Sequence, residues 1–471
     1  MKTVVLFGAG QIGAMVSRLM GPEYRVACFA DNNRRKWGGT LAGIQIVSPA
    51  ESLLFFPDCF CLCVMDDERA AEMEAQIREL GFDGPFLRPD ALKTFDARAA
   101  TMRLLAEQIL EKEIPGAVVG VVRNGHLVYE KAFGYKSLLP EKDTMTLETM
   151  FDLASVSKCV GTTLSFMQLV EQGKVRLVDP VNLYFPDFQP WEDPETHEKV
   201  DITVQDLLTH SSGIAAYLPN VKAYINQYGT NSPDSLIMWI STQAKRNFRP
   251  GTQQLYSCLN FITLQNILQK VTGQRLCDYA QKNVFDVLGL KHTTYFPLYG
   301  EPQSNPNAVE LAELCAPTEQ VEDGHILRAE VHDPTARLAN AGNSGNAGVF
   351  SNVEDLAVVA ATLLNGGSYN GHRILSRLTV DKMFTVPETN AYEVARALGW
   401  DTYYTGPYTS GDIFCVDDVR GHTGYTGTSM IMDPNTNTAV IVLAHRVHPK
   451  DEGSTGRLRS VIASIVASSI L

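Results

Sequence analysis

The sequence predicts two folded parts. A small N-terminal α/β unit, residues 1–96, precedes a larger α+β unit, residues 97–471, in which an antiparallel sheet packs on a helical region. Three observations carry this. At 471 residues the chain exceeds what one hydrophobic core usually serves. Its N-terminal part alternates apolar strands with helices. The remainder opens and closes on hairpin signals and is helix-rich between them.

Composition narrows the function classes. With 45% hydrophobic, 20% charged and 9% aromatic residues, the chain is an ordinary globular protein rather than a disordered or fibrous one. Forty Lys plus Arg against 53 Asp plus Glu leave a net charge of −13, which repels a phosphate backbone and argues against nucleic acid as a partner. No apolar run reaches the length of a membrane span, and the closing SVIASIVASSIL is too short. The nine cysteines include Cys59, Cys61 and Cys63, which alternate through DCFCLCVM without a CxxC pair. They read as buried thiols of a reducing compartment, so the expected location is the cytoplasm.

The N-terminal elements follow in order. TVVLF, residues 3–7, is a continuous apolar run suited to a strand covered on both faces, and it enters Gly8-Ala9-Gly10-Gln11-Ile12-Gly13. QIGAMVSRLM supplies a helix, and YRVACFAD a second strand ending in Asp31, 18 residues after Gly13. Gly8, Gly10 and Gly13 would let backbone approach a pyrophosphate at a helix N-terminus, and Asp31 sits where a ribose-binding acid belongs. Strand, glycine loop, helix, strand and acid in this order predict a Rossmann-like domain. The helix ERAAEMEAQIRELGF and the strands DCFCLCVM and PFLRP complete only a short half of a dinucleotide fold, similar to the small NAD-binding-like modules attached to sugar-modifying enzymes. Two readings stand open: a site for NAD(P) or a sugar nucleotide, and an empty loop kept for packing.

Beyond residue 97, ARAATMRLLAEQILEKEI predicts a helix. AVVGVVRNGHLVYEKAFGY predicts a hairpin around Asn124-Gly125. TSMIMD and TAVIVLAHR form a matching hairpin around PNTNT, and a helix over about 454–470 closes the chain.

Ser155-Val156-Ser157-Lys158 is the chain's single SxxK. On a helix this spacing puts hydroxyl and ammonium one turn apart, where the lysine lowers the cost of deprotonating the serine. Asp152 is the expected N-cap, leaving Ser155 in the first turn beside free backbone N–H groups. Two more motifs follow: Tyr256-Ser257-Cys258-Leu259-Asn260, ahead of a helix, and Gly421-His422-Thr423-Gly424-Tyr425 at the late hairpin.

SxxK, YxN-like and HxG signatures in this order, with SFMQLVEQGKVRLVDPVNLYFPDF, DLLTHSSGI and SGNAGVFSNVEDLAVVAATLLNGG, resemble the class C β-lactamase, penicillin-binding-protein and esterase superfamily of serine hydrolases. The resemblance covers residues 97–471 and implies the β-lactamase-like (transpeptidase) fold. It further implies Ser155 as acylated nucleophile and Lys158 as its activator, with Tyr256, held as or near a phenolate, carrying protons. His422 would stand where lactamases have the KTG lysine, and the N–H groups of Ser155 and Tyr425 would form the oxyanion hole. Thr423 and Gly424 would line the strand on which substrate lies. The departure is Cys258, where the family has Asn or Asp reading the substrate amide; Asn260 is a candidate replacement.

The expectation is therefore a metal-independent serine hydrolase of the esterase or D-amino-acid amidase/peptidase type, acting by an acyl-enzyme on a small ester or amide and needing no cofactor. A β-lactamase or D,D-peptidase is the alternative within the fold. An NAD-dependent oxidoreductase is disfavoured because no hydride-transfer partner is evident, and a non-catalytic binding protein rests on Cys258 alone. His210 in LLTHSSG reads as a packing histidine, and no G-x-S-x-G elbow or metal-binding HExxH occurs.

Overall fold

The computed structural model describes residues 2–18, 20, 24–64, 67–89, 105, 107, 114–387, 396–402, 409–415 and 417–470. The expected division at residues 96 and 97, and nearly all of the helix expected after it, lie outside the described residues.

The first sheet has six strands. β1 (Lys2–Phe7) leads through the glycine loop into α1 (Gln11–Arg18), β2 (Tyr24–Ala30), β3 (Thr40–Leu41), β4 (Ile44–Val47), β5 (Cys59–Leu62), α2 (Asp67–Glu79) and β6 (Phe86–Leu87). The spatial order is β3-β4-β2-β1-β5-β6, parallel throughout except for the β3–β4 pair. Val4 and Leu6 pack into one core, Val5 and Phe7 into another, which is why β1 reads as an unbroken apolar run. Cys59 and Cys61 share the first of these cores and Phe60 and Leu62 the second, so the cysteine alternation is strand alternation.

A second six-stranded sheet combines β7 (Gly116–Arg123), β8 (His126–Ser137) and β9 (Asp143–Thr144) with strands from the far end of the chain. The β7–β8 turn holds Asn124 and Gly125 at φ of 53° and 78°, the left-handed pair that a two-residue hairpin requires. Between β9 and those late strands run helices, of which α3 (Leu164–Glu171), α4 (Cys258–Thr272) and α5 (Val353–Leu364) bear on the site. The sheet is completed by β10 (Arg420–Thr423), β11 (Ser429–Asp433) and β12 (Thr438–Ala444), before the last helix α6 (Gly456–Ser468). All neighbours are antiparallel, in the order β10-β11-β12-β7-β8-β9, with β12 joining the two ends of the chain through Thr438↔Arg123 to Ala444↔Ala117.

Both faces of this sheet are covered. Ala439, Ile441 and Leu443 enter the core of the helical region, while Val440, Val442 and Ala444 pack with Leu458 and Ile462 of α6. Gly120 marks a close approach of α5: a Cβ there would lie 2.4 Å from Val353 Cγ1. Among the described residues no helix is long and apolar enough to cross a membrane.

Candidate active site

Ser155 is reached through a short strand and a sharp turn. Phe151 pairs with Ser351 and Asp152 with Phe350, and Leu153 N–H donates to Val349 O. Ala154 then takes φ 46°, a left-handed conformation that costs a non-glycine residue about 1 kcal/mol. Thr426 and Thr428 donate to the carbonyls of Asp152 and Leu153, which ties this turn to the loop after β10 and brings Tyr425 to the same cleft as Ser155.

The helical context differs from the expected regular α-helix. Ala154–Val156 is a 3-10 turn, Lys158–Thr163 a π-helical turn, and α-geometry begins only at Leu164. Asp152 lies in the strand and is not the N-cap, although its Oδ1 still accepts from Ala154 N–H while Oδ2 accepts from His332 N–H. The serine and lysine nevertheless meet. Lys158 is fully buried, and its ammonium donates to Ser155 Oγ at 3.0 Å, Asn346 O at 2.8 Å and Cys258 Sγ at 3.6 Å. Burial favours loss of its proton, but Cys258, Tyr256 and Asp333 outweigh that and hold its pKa above the ordinary lysine value.

Tyr256 stands beside this pair, before the N-terminus of α4, where the Ser257 side chain accepts from Asn260 N–H as the cap. The Tyr256 ring lies 5.0 Å from Lys158 Nζ and 5.1 Å from the Arg396 guanidinium. Its hydroxyl is enclosed and has no well-formed hydrogen bond among the described residues. Burial raises its pKa, and the nearby Lys158 charge offsets this only in part, so the resting side chain is a phenol at neutral pH. The resting phenolate expected from the sequence is corrected accordingly. The reason is desolvation: a buried anion costs more than the neighbouring positive charge returns.

His422 on β10 is 2% exposed, and its Nδ1–H donates to Thr423 O at 2.8 Å, leaving the Nε2 lone pair enclosed and without a partner among the described residues. Burial, with Arg396 and Lys158 nearby, pushes its pKa well below the usual histidine value, so it is a neutral acceptor 5.9 Å ring to ring from Tyr256. His210 is a packing histidine, as the sequence suggests: fully buried, it accepts from Ser257 N–H and lies 4.4 Å beneath the Tyr256 ring.

Two substrate-facing expectations change, those for Asn260 and Gly424. Asn260 does not replace the missing amide reader, because it is fully buried and occupied by Ser212 and His210. Gly424 is a packing residue: its N–H donates to Thr428 O, its carbonyl accepts from Arg459, and a Cβ would lie 2.1 Å from Thr428 Oγ1. Thr423 ends the edge strand β10, but its carbonyl is taken by His422. Cys258, by contrast, does face the nucleophile's lysine. Tyr425 is 56% exposed and lines the cleft, its hydroxyl on Asp451 and its ring against Arg446.

That cleft, about 910 Å³, has Ser155 in its wall. Its lining carries Glu319, Glu322, Asp323, Asp333 and Asp451 against only two cations, Lys222 and Arg337. Arg337 spends its guanidinium on the Val331 and His332 carbonyls. Sequence reasoning missed the Asn346 carbonyl, Arg396 and this acidic lining. The SGNAG segment was the one available signal, for Asn346.

The glycine loop forms as expected. Gly8 has φ 118°, a Cβ on Gly10 would meet open space, and a Cβ on Gly13 would lie 2.0 Å from Gly8 O, so the third glycine is what lets α1 pack on the loop. The loop borders a cavity of about 600 Å³ that also includes Asp31, Asn32 and Lys36. Asp31 differs from a free ribose ligand: Oδ2 accepts from Ala9 N–H and Lys36 Nζ, and Oδ1 from Asn33 N–H. Burial pushes this carboxyl up, but Lys36 and the two amides pull it below its usual range. No group of side chains suited to a metal ion occurs among the described residues.

Known proteins share this family and fold. The Beta-lactamase family model matches residues 94–464. An N-acetylmuramyl-L-alanine amidase of Bacillus subtilis is 32% identical over 426 residues, covering 81% of this chain and 92% of the relative. A putative D-alanyl-D-alanine carboxypeptidase of Salmonella agona is 30% identical, covering 70% and 78%. Among solved structures, EstCE1, a hydrolase with promiscuous acyltransferase activity, superposes with a TM-score of 0.61 at 22% identity, over 78% of this chain and 97% of that one. A penicillin-binding protein homologue from Caulobacter crescentus gives 0.60 at 16% identity, over 81% and 98%.

Proposed function

We propose that this chain, which belongs to the beta-lactamase family of serine hydrolases, cleaves small esters or amides through an acyl-enzyme on Ser155. The observation that carries the reading is the fully buried Lys158 donating to Ser155 Oγ at 3.0 Å on the wall of a cleft. The ammonium steadies charge on Oγ as it develops. Tyr256, in its phenolate form, takes the Ser155 proton as Oγ bonds the acyl carbon, and returns it to the leaving oxygen or nitrogen. Water then repeats the sequence in reverse and frees Ser155. His422, a neutral acceptor, orients the phenolic hydroxyl or the attacking water. The N–H groups of Ser155 and Tyr425 receive the oxyanion.

The acidic lining favours neutral or cationic substrates over anionic ones. Together with Cys258 at the amide-reading position, this disfavours penicillins, which carry a carboxylate. The names of the relatives, an amidase and a carboxypeptidase, support a second reading in which the scissile bond is an amide of a cell-wall-type peptide.

Residues 97–471 would be the hydrolase domain. Residues 1–96 would be a Rossmann-like module, a reading supported by the β4-β2-β1-β5-β6 parallel order and the glycine loop. Hydrolysis itself uses no cofactor, so NAD(P) or a sugar nucleotide in that module would act as a sensor or structural partner, in the cytoplasm.

Intact-mass analysis after exposure to a fluorophosphonate tests the assignment. Ser155 alone should be labelled, and Ser155→Ala should lose labelling and at least three decades of esterase activity. Labelling at another serine would refute it.

A further inference from the structure

We propose that Arg396 is a positioning residue for proton transfer, its guanidinium sharing with the Lys158 ammonium the task of balancing negative charge on Tyr256. The inference rests on Tyr256 being the proton carrier of the proposed mechanism.

The buried guanidinium and the lysine ammonium stand over the Tyr256 ring at 5.1 and 5.0 Å. His422 on β10 is neutral and holds its only N–H on Thr423 O, so β10 supplies no charge to this corner. Arg396 comes instead from a tight turn beside that strand. Asp401 pairs with Gly421 of β10 through hydrogen bonds in both directions, Arg396 bridges back to Asp401, and their side chains form an ion pair. Within the turn Ala397 N–H donates to Trp400 O, and Trp400 is fully buried. Gly399 has φ 80° and no room for a Cβ, which would lie 2.1 Å from Thr163 Oγ1. The placement is therefore built into the fold rather than left to a mobile side chain.

The other charged or titratable groups facing Tyr256 are Ser155, Cys258, His210 beneath the ring, His422 at its edge, and the more distant Asp333 that acts on Lys158 and Cys258. Among the described residues only Lys158 and Arg396 stand over the ring as cations. The step they serve conserves charge and electrons: Ser155 O–H breaks as Oγ–C forms, the phenolate oxygen takes the proton, and the proton leaves with the departing group. Because the resting side chain is a phenol, the rate at neutral pH follows the fraction of phenolate, and that fraction follows the surrounding positive charge.

The test is the pH dependence of kcat/KM on an alkali-stable ester for the full-length enzyme. In Arg396→Met with Asp401→Asn, which removes both members of the ion pair, the ascending limb should move up by about one pH unit or more, with neutral-pH kcat/KM down about tenfold and KM little changed. Arg396→Lys should restore most of the rate. Asp401→Asn alone leaves the guanidinium unneutralised and should move the limb down, a direction that simple loss of structure does not produce. An unmoved limb in the double variant, or an upward or absent shift in Asp401→Asn, overturns the proposal. If the double variant does not fold, the Asp401→Asn direction decides. Tyr256→Phe separates the two levels: wild-type rates in that variant overturn the mechanism itself, whereas an inactive Tyr256→Phe with an unmoved double variant overturns only the role of Arg396.

Discussion

Lys158→Met should separate stability from activity, leaving the first nearly unchanged and abolishing most of the second. The wild-type ammonium is fully buried and satisfied by Ser155 Oγ, Asn346 O and Cys258 Sγ. Taking an ammonium out of water costs several kcal/mol, and three charge-assisted hydrogen bonds, of which the one to sulfur is weak, return about 1.5–3 kcal/mol each. The two sides nearly cancel. Methionine has similar volume, needs no partner, and leaves one carbonyl, one hydroxyl and one weakly accepting sulfur short of a donor, so the folded state should change by no more than about 1–2 kcal/mol in either direction. Activity has no such compensation, because the charge that steadies the Ser155 alkoxide and the Tyr256 phenolate is gone. A loss of three decades in kcat/KM, about 4 kcal/mol of transition-state stabilisation, is expected. Thermal midpoints of the purified variant and initial rates on an activated ester measure the two quantities. A variant destabilised by more than about 4 kcal/mol, or one retaining a tenth of wild-type activity, would show that Lys158 is a structural ion and refute the reasoning.

Three further outcomes are expected. Cys258→Asn places an amide beside Lys158 and should raise lactam acylation relative to ester hydrolysis by about 1–3 kcal/mol, read as the ratio of the two kcat/KM values; an unchanged ratio removes position 258 from substrate reading. Acid should destabilise the fold through its buried neutral histidines: His445 is pushed down to about 3, and His210 and His422 well below their usual value, chiefly by burial. A depressed folded pKa means the unfolded chain binds the extra proton, so this stability is complete above about pH 6.5 and is lost as pH falls toward 3, on the order of 4 kcal/mol for His445; midpoints flat from pH 7 to pH 4 would contradict it. Finally, a chain beginning near residue 97 should keep Ser155-dependent esterase activity, and any NAD, NADP or sugar nucleotide that calorimetry finds bound to full-length protein should leave turnover unchanged; no binding at millimolar ligand would make the loop an empty one, and nucleotide-dependent turnover would mean that the two parts share one site.

What the sequence determined by itself is what short-range geometry dictates. Ser155 and Lys158 are three residues apart, and they meet even though the turn carrying them is 3-10 and π-helical rather than α. Asn124-Gly125 needs two left-handed residues and makes its hairpin, and Gly13 needs to be bare where α1 crosses the Gly8 carbonyl. Each is decided within a few residues, so each is legible from local pattern. The rest was decided by packing between distant segments. Lys158 finds its second acceptor 188 residues away at Asn346, and Arg396 reaches Tyr256 only because Asp401 pairs with Gly421 on β10. Asn260 turns to Ser212 and His210 because α4 packs that way, although it follows by two positions Cys258, which faces Lys158. Whether Tyr256 rests as phenol or phenolate is likewise a property of the whole surrounding volume. Desolvation sums over every atom that excludes water, and no stretch of sequence carries that sum; only the folded chain does.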